Sequence, residues 1–198
     1  EALARDVREM RQLALADRFG IPLLIATDQE GGWVQHIRAG VADSPGNMAV
    51  AASGIPADAY LTGYYVAREL RALGINMNFA PTVDVYSNPA DTVIGPRAFS
   101  SDPIETALFS VAYFRGMEAA GVIATAKHFP GHGAADRDSH GFLPIVRVPW
   151  ETLWERDLVP YRLLIREGIP AVMSGHLAFP EIQGDVVPTT PSAFFPNY

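Results

Sequence analysis

Apolar residues recur along the chain at two different spacings. Leu3, Val7, Met10 and Ala14 follow one another at steps of three and four, as do Val66, Leu70 and Leu73. The same steps join Ile104, Leu108, Val111 and Phe114, and later Trp154, Leu158, Tyr161 and Ile165. Steps of three and four line one face of an α-helix, so four amphipathic helices are expected. The third carries a start signal, with Asp102 at N-cap, Pro103 at the first helical position and Glu105 at the third, a capping-box arrangement. Between the helices lie short, continuously apolar runs, each placed directly after a glycine. Gly20 precedes 21–27, Gly74 precedes 75–80, Gly121 precedes 122–126 and Gly168 precedes 169–174. Glycine closes helices because it accepts positive φ without a Cβ clash. An unbroken apolar run is what a strand buried on both faces requires.

The four glycines are 54, 47 and 47 residues apart by subtraction of their numbers. A strand–helix unit repeated at that period predicts an α/β protein with a parallel sheet and helices outside it. A barrel and an open doubly wound sheet both satisfy the pattern. No glycine-rich phosphate loop follows the first strand, which argues against a dinucleotide fold. Instead each strand runs into polar residues: Asp28, Gln29 and Glu30; Asn78 and Asp84; Lys127 and His128; Ser174 and His176. Polar groups at the carboxyl ends of successive strands are how (β/α)8 TIM-barrel enzymes assemble their sites. Only about four of the eight β/α units are visible in residues 1–198. A partial barrel is therefore expected, a catalytic-domain fragment lacking both ends.

Composition narrows the function without naming it. The net charge is −7 and there is no basic run, so nucleic acid is excluded as an expected partner. The apolar runs are too short for a membrane span, and no signal peptide opens the chain. There are no cysteines, which excludes disulfides, thiol nucleophiles and thiolate metal sites. Neither compartment nor oligomeric state follows from this, although a monomer is expected.

The densest chemistry runs from Lys127 and His128 through Pro130, Gly131, His132 and Gly133 to Asp136, Asp138 and His140. Three of the five histidines fall within this stretch. Its proline and glycines preclude a helix, so it is a loop leaving a strand, where chemistry tends to reside. Three readings are open. It is a solvated polar loop, a His/Asp metal site, or an acid/base pair. For the last, Asp138 and His140 stand two apart and share a side in extended chain. A carboxylate beside an imidazole fixes its tautomer and favours the imidazolium. Such a histidine donates a proton near neutral pH.

The stretch Lys127-His128-Phe129-Pro130-Gly131-His132-Gly133, followed after four residues by Asp138-Ser139-His140, resembles the β-N-acetylhexosaminidases of glycoside hydrolase family 3. Asp28-Gln29-Glu30-Gly31-Gly32, Phe79-Ala80-Pro81 with Val83-Asp84, Ile94-Gly95 with Arg97 and Phe99, and Ser174-Gly175-His176 are similar to further motifs of that family, in order. The Asp-Ser-His element is the specific one, since members acting on plain glucosides generally lack it.

The resemblance implies a retaining hydrolase of β-linked N-acetylglucosamine, acting on cell-wall or chitin-type glycans without metal or cofactor. It implies His140 as general acid/base with Asp138 as its partner. Asp28, Arg97, Lys127 and His128 would contact sugar hydroxyls. The family's nucleophile is an aspartate after a later strand, expected beyond residue 198, so that residues 1–198 alone are expected to be inactive. Where the family carries arginine twice after the two glycines, this chain has Trp33 and His36. His36 keeps a hydrogen bond toward substrate but no permanent charge or bidentate grip. A β-glucosidase or phosphorylase of the same family, a metal-dependent hydrolase using residues 127–140, and a carbohydrate-binding remnant without turnover are the alternative readings.

Overall fold

The computed structural model describes residues 1–91, 93–135 and 143–190. Its helices are α1 (Ala2–Ala16), α2 (Asn47–Ala51), α3 (Pro56–Ala72), α4 (Pro103–Ala119), α5 (Trp150–Thr152), α6 (Leu158–Arg166) and α7 (Pro180–Gln183). The strands are β1 (Ala26–Thr27), β2 (Gln29–Gly31), β3 (Val34–Gln35), β4 (Met77–Asn78), β5 (Ile123–Phe129) and β6 (Ala171–Ser174). Strands β1, β4, β5 and β6 form one parallel sheet in that order. The order follows the chain and never reverses, as in the wall of a barrel and unlike a doubly wound sheet. Each crossover is made by a helix on the outside, so the expected partial barrel is the architecture observed.

The core lies between the sheet and helices α3, α4 and α6, and contains Phe109, Tyr113, Phe114, Met117, Leu153, Tyr161 and Leu164. Helices α3 and α4 lie in close contact because Gly63 and Gly116 face the partner backbone. A Cβ on Gly116 would stand 2.0 Å from the Tyr60 carbonyl oxygen, so only hydrogen fits there. At the start of α4 the Asp102 carboxylate accepts from the Glu105 amide at 2.7 Å. The Glu105 side chain accepts from Ser100 Oγ at 2.5 Å, and that oxygen accepts in turn from the Asp102 amide. The capping box is thus closed through a serine relay.

Three expectations require correction. The first strand is confined to Ala26–Thr27, because the Asn76 side chain occupies the backbone groups ahead of it. Its Oδ1 accepts from the Ile25 amide and its Nδ2 donates to the Leu23 carbonyl. Only Val7 of the predicted α1 face is buried, while Leu3 and Met10 are exposed. Helix α1 rests on the turn at Gly74 rather than on the sheet, with Arg11 donating to the Gly74 carbonyl. The last predicted helix is also altered: a π-helical turn at Leu153–Asp157 joins α5 to α6. The inserted residue rotates the buried face onto Leu153, Leu158, Tyr161 and Leu164, leaving Trp154 and Ile165 exposed. Among the described residues no helix is long and apolar enough to cross a membrane.

Candidate active site

The polar strand ends converge on one cavity of about 630 Å³ at the carboxyl end of the sheet. Asp28 follows β1, Lys127 and His128 lie in β5, and Ser174 and His176 come from the end of β6. Arg97 enters from a 3-10 turn at Gly95–Arg97. Its approach is set by Asn47, whose side-chain amide donates to the Arg97 carbonyl at 2.7 Å.

Glu30 organises the floor. Its Oε1 lies 2.5 Å from Lys127 Nζ and 2.8 Å from Arg97 Nη2, while Oε2 accepts from Arg97 Nε at 2.9 Å and from Thr82 Oγ1 at 3.0 Å. Lys127 Nζ also donates to Asp28 Oδ1 at 2.5 Å. Lys127 and Glu30 are both 2% exposed. A lysine is rarely so buried, and here two carboxylates balance its charge. Burial would raise the Glu30 carboxyl, but the Arg97 hydrogen bond and the Lys127 and Arg97 charges prevail and hold it at about 2.

This lattice makes stability depend on acid. The folded-state value of Glu30 is lowered from 4.5 to about 2, so its contribution is complete above about pH 4.5 and disappears as pH falls toward 2. A shift of that size corresponds to about 3 kcal/mol. Urea unfolding at pH 6 and pH 3 should show about 2 kcal/mol of that loss in the native sequence and much less in Glu30→Gln. Equal acid sensitivity in both would refute the assignment.

His128 sits beside this lattice. Its Nδ1 lies 2.7 Å from Asp84 Oδ2, a fully buried carboxylate, and its backbone amide donates to Asp84 Oδ1 at 3.2 Å. Burial depresses the imidazole below its ordinary value despite the Asp84 charge. The neutral ring assigned from this network donates from Nδ1 to Asp84 and turns Nε2 toward the pocket as an acceptor, 3.4 Å from Arg97 Nη2. Asp84 Oδ1 also accepts from the His132 amide at 2.7 Å. One carboxylate thereby holds the backbone of both His128 and His132. The His132 ring is buried, with Nδ1 3.7 Å from Asp91 Oδ2, and it lines the cavity beside His128.

The structure brings Asp28, Arg97, Lys127 and His128 together and puts His36 on the exposed rim of the same cavity. Asp138 and His140 lie outside the described residues. The residues that flank their segment are hydrogen-bonded to the rest of the fold. The Ala135 carbonyl accepts from Asn88 Nδ2, and the Pro144 carbonyl accepts from the Ala178 amide. Among the described residues no group of three His, Asp or Glu side chains is placed to hold a metal ion.

The short hairpin β2–β3 lines the cavity and is an element that the apolar spacing does not reveal. It pairs Gly31 with Val34, leaving Gly32 and Trp33 as its turn. The signal was present as a glycine-initiated two-residue connection, a common hairpin turn. Gln29 fixes the hairpin to the chain beyond it, donating from Nε2 to the Ile37 carbonyl at 2.9 Å and accepting the Ile37 amide at 3.0 Å. Asn78 of β4 fixes it to the sheet through paired bonds with the Gln29 backbone. At position 31 a Cβ would stand 2.4 Å from Ser44 Oγ, and φ is +99°, so glycine is required.

Comparison with known proteins gives a consistent result. Residues 1–195 match the family described as glycosyl hydrolase family 3 N terminal domain. A β-hexosaminidase of Methylococcus capsulatus is 41% identical over 184 residues, covering 91% of this chain and 52% of that protein. β-Hexosaminidase A of Pseudoalteromonas piscicida is 40% identical over 184 residues, 90% of this chain and 31% of that protein. A solved family 3 β-N-acetylglucosaminidase from a Paenibacillus species superposes with a TM-score of 0.91 at 44% identity, over 95% of this chain and 36% of that one. NagZ from Neisseria gonorrhoeae, solved with N-trifluoroacetyl-D-glucosamine, gives 0.85 at 33% identity, over 94% of this chain and 55% of that one. The chain thus spans about half or less of the length of the curated relatives cited here.

Proposed function

The chain belongs to glycosyl hydrolase family 3, and on that footing we propose that the whole protein hydrolyses terminal β-linked N-acetylhexosamine, with the cavity around Lys127 receiving the sugar. The observation that carries the proposal is the charge-balanced lattice of Asp28, Glu30, Arg97 and Lys127 on the floor of that cavity. A cavity of about 630 Å³ is of the size that small-molecule sites take. Preorganised charged donors and acceptors suit a ligand whose recognition rests on vicinal hydroxyls. The relatives named β-hexosaminidase, together with the Asp138-Ser139-His140 element, favour the acetamido sugar over plain glucose.

Each residue then has a role. Asp28 accepts from sugar hydroxyls, while Lys127 and Arg97 donate to them. His128 offers its neutral Nε2. Glu30 remains beneath, keeping both cations in place. His140 protonates the glycosidic oxygen as a carboxylate attacks the anomeric carbon, and Asp138 stabilises the imidazolium beforehand. In the second step His140 removes a proton from water, which displaces the carboxylate. Asp28, Glu30 and Asp84 are each committed to a cation or an imidazole, and by resemblance to the family the attacking carboxylate is an aspartate after a later strand. Most retaining glycosidases employ two carboxylates, and a histidine in the acid role is the departure this reading accepts.

Proton NMR of the whole protein acting on an aryl β-N-acetylglucosaminide tests the reading. Free N-acetylglucosamine should be released first as the β anomer, with or without phosphate present. First release of the α anomer, formation of the sugar 1-phosphate, or no release would overturn it.

A further inference from the structure

Trp33 occupies the turn of the β2–β3 hairpin and is 69% exposed. A large exposed indole on a braced turn is open to contact by a ligand. Its surroundings are specific. Trp33 lines the cavity that holds Asp28 and Lys127, and it also lines a second hollow with Gly32, Gln35, Arg38 and Asp43. It therefore stands at the boundary between an inner, charge-lined cavity and an outer, shallower one. Among the described residues the indole N–H has no hydrogen-bond partner. Arg38 donates only from Nε, to the Gln35 carbonyl at 3.0 Å, leaving its terminal nitrogens available.

Hairpin rigidity matters here. Gln29 and Asn78 tie the hairpin down through four hydrogen bonds of 2.9–3.0 Å. The indole is thus held in place at little entropic cost on binding. A flat apolar face with a donor edge, next to a free guanidinium fork, matches a pyranose ring, which offers axial C–H groups on one face and hydroxyl or acetamido oxygens at its edge.

We propose that Trp33, with Arg38, forms an outer subsite for the second sugar ring of a β-linked N-acetylhexosamine chain, on the leaving-group side of the scissile bond. This rests on the hydrolase reading above, in which the inner cavity takes the terminal sugar. Trp33 is then a specificity-determining residue that makes the enzyme favour oligosaccharides over simple glycosides.

The test uses the whole protein, with N,N′-diacetylchitobiose and methyl β-N-acetylglucosaminide, whose methyl group is too small to reach the turn. In Trp33→Ala the ratio of kcat/KM for the disaccharide to that for the methyl glycoside should fall about tenfold, the upper range of one aromatic contact. Trp33→Tyr, which keeps a stacking face, should recover most of the ratio. A ratio unchanged within about twofold in Trp33→Ala would overturn the subsite. Independently of turnover, the disaccharide should change the indole emission of the native protein and do so far less in Trp33→Phe. Identical responses in both would also overturn it. Absence of turnover on either substrate by the native enzyme, with the emission change intact, would instead refute the hydrolase reading and leave the sugar subsite standing.

Discussion

Lys127→Met should destabilise the fold by about 3–5 kcal/mol at neutral pH, the range for removing one partner of a buried ion pair. Methionine nearly fills the lysine stem, so the effect is chiefly electrostatic. Asp28, Glu30, Lys127 and Arg97 sum to zero charge, and the substitution leaves two carboxylates facing one guanidinium. Glu30 would be worst placed, being 2% exposed and bound on one side by Lys127. Its carboxyl, held at about 2 in the native lattice, should move up toward or past its ordinary value. The sign follows: the ionised form of Glu30 stabilises the native protein above pH 4.5, and that contribution shrinks in the variant. Denaturation curves at pH 7 and pH 4 should therefore lie further apart from native at pH 7 than at pH 4. A uniform loss at both pH values would mean that Lys127 matters only for packing.

His140→Ala should lower kcat/KM of the whole protein by about 10²–10⁴-fold on a glycoside with a poor leaving group, the usual contribution of general acid/base catalysis. The loss should be much smaller on a dinitrophenyl glycoside, whose oxygen departs without a proton. Asp138→Asn should follow the same pattern less severely, since a neighbouring carboxylate positions the ring and favours the charged form. Unfolding midpoints should change little in either variant. An equal loss across all leaving groups would remove His140 from the acid role and favour one of binding or structure.

Much of this architecture could be read in local pattern. Glycine at a helix end followed by an apolar run predicts a strand because both signals concern adjacent residues, and β4, β5 and β6 lie where that rule puts them. The edge strand β1 is shorter than predicted since a side chain, Asn76, competes for its backbone groups, and no periodicity reports such competition. The π turn at Leu153–Asp157 likewise changes which residues face inward without altering composition.

The site divides in the same way. Polar residues at strand ends are visible one strand at a time, and Asp28, Lys127 and His128 are found by that rule. Their pairing is not, because Lys127 lies 99 residues from Asp28 and Arg97 lies 67 from Glu30. Glu30, which the family resemblance leaves without a catalytic part, proves to be the anchor for both cations. Trp33 is conspicuous in sequence only as a departure from an arginine. Its position at a hairpin turn between two cavities gives that departure a consequence.

The decisive experiment compares aryl β-N-acetylglucosaminide with aryl β-glucoside as substrates of the whole protein. A pocket that serves an N-acetylhexosaminidase should give a kcat/KM for the acetamido sugar at least about a hundredfold higher, the discrimination a few kcal/mol of differential contact provides. Equal rates on the two sugars, or preference for the glucoside, would contradict the assignment and point to another member of the same family.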